Sequence, residues 1–132
     1  GARALMIGIG GSATNDGGFG MARALGWEFL DEAESPITSW IDLNHLQSIR
    51  KPVGDQSPWS VTVAVDVQNP LLGEIGASRI YGPQKGLRPS DMARAEACLE
   101  RLAEITGRLP GLEGVALEPG ARLAPRETAR AP

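Results

Sequence analysis

One cysteine, Cys98, is all the sulfhydryl chemistry that 132 residues hold. That scarcity excludes a disulfide within the chain and any cysteine-based metal cluster, and it fits a reducing, cytoplasmic setting. Long hydrophobic runs are missing too: nothing approaches the roughly 20 apolar residues that cross a bilayer, so no membrane partner is expected. The opening GARALMIGIGG has neither the basic start nor the apolar length of a secretory signal. It also lacks an initiating Met, and an apolar strand begins almost at residue 1, so the chain is expected to be an internal piece of a longer one. Excess positive charge is absent as well. With 13 Lys and Arg against 16 Asp and Glu, a net charge of -3 offers no electrostatic footprint for nucleic acid.

What is present is the composition of an ordinary globular domain. Hydrophobic residues make up 42% and charged residues 22%, and a chain of this length buries roughly two thirds of its unfolded surface. The run Ala4 to Ile9 is continuously apolar and ends in glycines, which predicts a strand buried on both faces. Between Gly17 and Leu25 the rhythm becomes helical, with Phe19, Ala22 and Leu25 on one side, Asn15 or Asp16 as the N-cap and Gly26 closing the end. Trp27 to Leu30 reads as a second strand. From Ile41 to Ile49 the apolar positions Leu43, Leu46 and Ile49 suggest a short helix. Lys51 to Pro58 is a polar loop, and Ser60 to Val65 is a Val-rich strand that ends before Asp66 and the turn signal Asn69-Pro70.

Residues 73–86 mix glycine with room for a single helical turn. Pro89 then fits the first position of a helix running to about Thr106, with Ser90 and Asp91 in its first turn. Met92, Ala95, Leu99, Leu102 and Thr106 form its apolar face. After Gly107 the chain becomes rich in Pro, Gly, Ala and Arg without any period, so 1–107 reads as the domain and 108–132 as a poorly ordered tail.

Three segments carry candidate chemistry. In Gly8-Ile9-Gly10-Gly11-Ser12-Ala13-Thr14-Asn15-Asp16-Gly17-Gly18, glycines between a strand and a helix let backbone N–H groups converge on an anion with no side chain in the way. Ser12, Thr14 and Asn15 add neutral hydrogen bonds. Asp16 either holds Mg2+ or accepts a proton from a substrate hydroxyl, or it simply caps the helix. The second segment, Asp66-Val67-Gln68-Asn69-Pro70, places a carboxylate and amides after a strand, where α/β sheets collect ligands; Asp66 as a plain turn former is the alternative. In the third, Gly82-Pro83-Gln84-Lys85-Gly86, a lysine between glycines can approach a phosphate, or can be an exposed turn lysine. His45 has no metal-ligand neighbours and receives no role, and Cys98 reads as a small packed residue.

The spacing Gly8-x-Gly10-x-x-Ala13 also meets the loose dinucleotide fingerprint, with Glu28 or Asp31 near the place of the ribose acid. The match is partial, because Thr14-Asn15-Asp16-Gly17-Gly18 separates the glycines from the helix. A glycine-lysine-Ser/Thr phosphate loop does not occur.

GIGGSATNDGG, AVDVQNPLLGEIGAS and YGPQKG, in this order, resemble the bacterial-type glycerate kinase family over roughly Ala4 to Thr106. The resemblance implies an α/β fold, a mixed sheet with flanking helices, as part of a two-domain architecture with the active site in the cleft between the domains. It implies ATP as phosphoryl donor, Mg2+, D-glycerate as the small-molecule partner and 2-phosphoglycerate as product. Carried onto this chain, it places Asp16 and Asp66 on metal or hydroxyl activation, and Lys85 on phosphate or on the glycerate carboxylate. Gly10, Gly11, Ser12, Thr14, Asn15, Asn69 and Gln84 fall to ligand orientation. Which loop takes nucleotide and which takes glycerate stays open at this point.

Two departures shape the expectations. The family's N-terminal segment, with its own lysine- and aspartate-bearing loops, has no counterpart here, and after Pro119-Gly120-Ala121 the similarity gives way to RLAPRETARAP, as a reading-frame slip in GC-rich DNA would produce. The chain is therefore expected to be a truncated and catalytically incomplete piece, with exposed surface that favours self-association. The competing readings are a nicotinamide-dependent oxidoreductase fragment and a non-catalytic interaction piece.

Overall fold

The computed structural model describes residues 4–54, 60–64 and 68–109. Among these described residues, two small sheets and three α-helices follow one another. Strand β1 (Ala4–Gly8) leads into helix α1 (Phe19–Ala24) and strand β2 (Glu28–Leu30). A 3₁₀ turn, Trp40–His45, precedes strands β3 (Ser48–Arg50) and β4 (Ser60–Ala64). Helix α2 (Ala77–Tyr81), the 3₁₀ turns Pro83–Lys85 and Pro89–Asp91, and helix α3 (Met92–Gly107) complete the described chain. The α/β class expected from the sequence holds. Parallel and antiparallel pairing both occur, in separate two-stranded sheets: β1 lies parallel to β4 with Gly8 opposite Ala64, and β2 lies antiparallel to β3 with Phe29 opposite Ile49.

The core forms where α3 meets the middle of the chain. On α3, Ala95, Cys98, Leu99, Leu102 and Ile105 are buried, and their spacing of three or four residues aligns them as one stripe. Phe19 of α1, Phe29 of β2, Ile37, Leu43 and Leu46 pack against that stripe, with Trp27, Trp40 and Ile49 partly covered at its edge. Phe19 and Phe29 meet edge to face at 4.8 Å, the arrangement that aromatic quadrupoles favour. Burying each of these large side chains contributes about 1.5–3 kcal/mol. The helix begins three residues later than the sequence predicts: Pro89 opens a 3₁₀ turn, and α3 follows from Met92. Cys98 is the small packed residue expected of it, 0% exposed, with its Sγ 3.3 Å from the Ile41 carbonyl oxygen.

Several expectations change. The apolar run of β1 is not buried on both faces: Met6 is 78% exposed, because the described residues place β4 beside the strand and nothing over the Met6 side. The short helix expected from Ile41 to Ile49 is a 3₁₀ turn followed by a strand. Leu43, Leu46 and Ile49 recur every third residue, a spacing that eclipses side chains in a 3₁₀ turn. Leu46 then takes extended dihedrals, and Ile49 enters β3. Helix α1 is shorter than 17–25, and Leu25 is its C-cap, 54% exposed. On α3, Met92 and Thr106 lie at the stripe's margins, half-buried.

The dinucleotide reading fails on topology. That fold needs a helix springing from the glycines and leading into a strand parallel to the first, whereas α1 starts at Phe19, the strand after it, β2, pairs antiparallel with β3, and the parallel neighbour of β1 is the later β4. Val65 and Asp66, and the tail beyond Leu109, lie outside the described residues. Among the described residues no helix is long and apolar enough to cross a membrane.

Candidate active site

The glycine segment leaves the end of β1 as an open loop. The Ile9 N–H still reaches the Ala64 carbonyl at 3.2 Å, so the loop departs beside the end of β4. From Gly10 to Asn15 no backbone N–H donates to a protein acceptor among the described residues. Gly11 at φ 68° gives the turn a left-handed step that few side chains tolerate. Such a run of unused donors suits an anion.

Lysine reaches this loop from another part of the chain. Lys85 ends the 3₁₀ turn Pro83–Lys85, and Gly86, left-handed, turns the backbone away. The Lys85 ammonium donates to Ser12 Oγ at 3.0 Å and to the Thr14 carbonyl at 2.5 Å. An ammonium carries three protons, so one remains for a ligand. Among the described residues no carboxylate forms an ion pair with Lys85. A second tie runs from Asn15, whose Nδ2 donates to the buried Ser78 Oγ of α2 at 3.0 Å.

Close packing holds the lysine turn in place. A Cβ on Gly82 would lie 2.1 Å from the Ser78 carbonyl oxygen and 2.7 Å from Leu87 Cδ2. Only a residue without a side chain fits between α2 and the turn. Thr14, Asn15, Asp16, Trp40, Lys85 and Leu87 together border a cleft of about 260 Å³. One cation, one carboxylate, a hydroxyl and an amide thus face a shared space.

Asp16, which borders the cleft, serves the backbone. Its Oδ2 accepts from Gly20 N–H at 2.9 Å and its Oδ1 from Gly18 N–H at 3.2 Å, so it ties down the start of α1 from outside the helix, while Gly18 takes the N-cap position expected of Asn15 or Asp16. A carboxylate has about four acceptor sites, which leaves both oxygens able to accept once more. Among the described residues no three His, Cys, Asp or Glu side chains gather as a metal cage.

The other sequence candidates lie apart from this group. Asn69 is fastened within its own loop: its Nδ2 donates to the Ile75 carbonyl at 3.0 Å and its Oδ1 accepts from Tyr81 OH at 2.6 Å. The same loop is tied to α3, where Gly73 N–H donates to Glu96. Gln84 is exposed on the lysine turn, and Gly10 and Gly11 are exposed at the loop tip. Asp66 lies outside the described residues. Sequence reasoning missed Trp40 and Leu87, which border the cleft, and Ser78, which anchors Asn15. Their only sequence signal was position, since Leu87 directly follows the lysine turn and Ser78 sits in GEIGAS.

The model of the family described as "Glycerate kinase family" matches residues 1–122. A glycerate kinase of Haemophilus influenzae is 43% identical over 117 residues, covering 82% of this chain and 29% of the relative. A glycerate 2-kinase of Escherichia coli K12 is 43% identical over 110 residues, covering 80% and 28%. Among solved structures, a crystal structure described as that of a glycerate kinase 2 from Salmonella typhimurium LT2 superposes with a TM-score of 0.72 at 43% identity, covering 80% of this chain and 29% of that one. The chain therefore spans less than a third of the length of these relatives. With the family model covering residues 1–122 and the fold shared at 43% identity, the chain belongs to the glycerate kinase family.

Proposed function

We propose that this chain carries part of the phosphoryl-transfer site of a glycerate kinase, in which the γ-phosphoryl group of ATP passes to a hydroxyl of D-glycerate and gives 2-phosphoglycerate. The observation that carries the reading is the convergence of the Lys85 ammonium on Ser12 and Thr14 of a loop whose N–H groups from Gly10 to Asn15 meet no acceptor among the described residues. Phosphoryl transfer asks a protein chiefly for positioning and for charge stabilisation, and this cluster is built for both.

In the reaction the glycerate hydroxyl oxygen bonds to the γ-phosphorus while the bond to the β,γ-bridging oxygen breaks and ADP leaves. Lys85 turns its free proton, or exchanges one from Ser12, toward the charged phosphate oxygens. The N–H groups of Gly10 and Gly11 take the remaining charge, with Ser12, Thr14 and Asn15 fixing the angle of approach. Asp16 borders the cleft and accepts the hydroxyl proton. Gln84 and Asn69 act from the surrounding loops, Asn69 by keeping its loop in shape.

Mg2+ typically takes one or two carboxylates and completes its shell with water and substrate phosphates. Asp16 fits that demand with its spare acceptor sites, and Asp66, two residues past the end of β4 in the sequence, would be the second carboxylate. When bound, the ion offsets phosphate charge.

A coupled ADP-release assay with ATP, Mg2+ and D-glycerate tests the proposal on the chain and on its Lys85→Met and Asp16→Asn variants. Any release that the chain supports should depend on glycerate and should drop at least about 100-fold in Lys85→Met, the scale of losing one group that stabilises developing charge. Release independent of glycerate, or turnover unchanged in both variants, would contradict it.

A further inference from the structure

A second cavity adjoins the cleft. It has a volume of about 310 Å³ and is bordered by Arg79, Pro83, Leu87, Pro89 and Met92. Leu87 is the one residue that borders both spaces. The two differ sharply in chemistry: the cleft presents an ammonium, a hydroxyl, an amide and a carboxylate, whereas the cavity presents two proline rings, a leucine, a methionine thioether and a single guanidinium. Its volume sits at the lower end of the about 300–1,000 Å³ usual for small-molecule sites.

We propose that this cavity takes the purine base of a nucleotide whose phosphates reach Lys85 across Leu87, an inference that rests on the phosphate reading of the Lys85 cleft. A flat heteroaromatic ring suits each border. Proline rings and Leu87 give it apolar faces, the Met92 sulfur makes favourable contact with an aromatic edge, and the Arg79 guanidinium can stack on a π face. Arg79 is exposed and makes no hydrogen bond or ion pair with its side chain among the described residues, so its guanidinium is free to do so.

D-glycerate is the wrong shape for the same space. Every carbon of a three-carbon hydroxy acid bears oxygen, and of the five bordering residues only Arg79 offers those oxygens side-chain donors, while Pro83, Leu87, Pro89 and Met92 offer none. The assignment thus divides the molecule's ligands: the glycine loop and Lys85 belong to the nucleotide's phosphate end, and the lysine turn with the start of α3 belongs to its base.

Isothermal titration of the chain with ADP and with inorganic tripolyphosphate separates the two ideas, because tripolyphosphate has phosphates and no base. ADP should bind at least tenfold more tightly than tripolyphosphate. Met92→Trp, which fills the cavity, and Arg79→Met, which removes an exposed side chain and leaves the fold alone, should each erode that advantage while leaving tripolyphosphate affinity within twofold. Lys85→Met should weaken both ligands at least tenfold. The base site is overturned if tripolyphosphate matches ADP, or if Arg79→Met and Met92→Trp leave ADP affinity unchanged or reduce both ligands equally. If neither ligand binds, or if Lys85→Met changes neither affinity, the phosphate reading of the cleft falls and the base site with it.

Discussion

Gly82 shows how far a single residue constrains the site. Its backbone dihedrals, φ -58° and ψ -46°, suit any amino acid, so conformational freedom is not the reason for glycine here. Space is. Gly82→Ala would push a methyl group to 2.1 Å from the Ser78 carbonyl oxygen, and either the turn or α2 must shift. Overpacking of this kind costs about 1–3 kcal/mol, and because the shifted turn carries Lys85, anion affinity should fall along with the urea midpoint. A variant with wild-type midpoint and affinity would show that the packing is looser than the structure indicates. Cys98 makes the second argument at this scale. Burial pushes its thiol above the usual range, by disfavouring the thiolate. A pKa raised by folding stabilises the fold fully below the unfolded thiol's value of about 8.5 and loses that contribution as pH rises through the folded value. Iodoacetamide should therefore label the native chain slowly, with a pH midpoint above that of the urea-unfolded chain; equal midpoints would contradict the burial.

Among the elements, α3 is the one on which the others are assembled. Arg101 projects from it to the preceding segment, with Nε donating to the Leu46 carbonyl at 2.6 Å and Nη2 to the Gln47 side chain at 3.0 Å. Arg101→Met would leave the Leu46 carbonyl unpaired and should destabilise the fold by about 1–3 kcal/mol. Glu104 accepts from the same arginine at 2.6 Å and pairs with Arg108 one turn on, but it stands in water. Its carboxyl is held below the usual range, first by the Arg101 hydrogen bond. The sign makes that contribution present at neutral pH and lost on acidification, and salt screens it. Glu104→Gln should accordingly leave the unfolding midpoint nearly where it is, and a loss as large as that of Arg101→Met would contradict the ranking of the two. Such ranking is what the sequence could not supply. The stripe Ala95, Leu99 and Leu102 and the helical turn that Pro89 opens ahead of α3 were legible, because periodicity and proline act locally. The 3₁₀ turn at Trp40–His45 was misread as helix, since a three-residue repeat over so few positions fits both. Burial of β1 was misread because an apolar run reports what a strand can cover and says nothing of what lies over it.

For the whole molecule, the distinctive feature is that the site is assembled from distant sequence. Lys85 meets Ser12 across 73 positions and Asn15 meets Ser78 across 63. The glycine loop and the lysine turn could be recognised one by one, but their meeting could not, and Trp40 and Leu87 escaped notice because an apolar wall carries no motif. The geometry sets the glycine loop and Lys85 beside each other, with an apolar space next door. The chain spans less than a third of its relatives' length, so its part in catalysis rests on whether this one cluster engages the nucleotide. A 15N–1H NMR titration of the chain with ATP and Mg2+ asks that directly. The amide signals of Gly10, Gly11, Ser12 and Thr14 should shift together with that of Gly86, at one common affinity, and should stay still in Lys85→Met. Shifts confined to other parts of the chain, or loop shifts that persist without the lysine, would contradict a single anion site built from the glycine loop and Lys85.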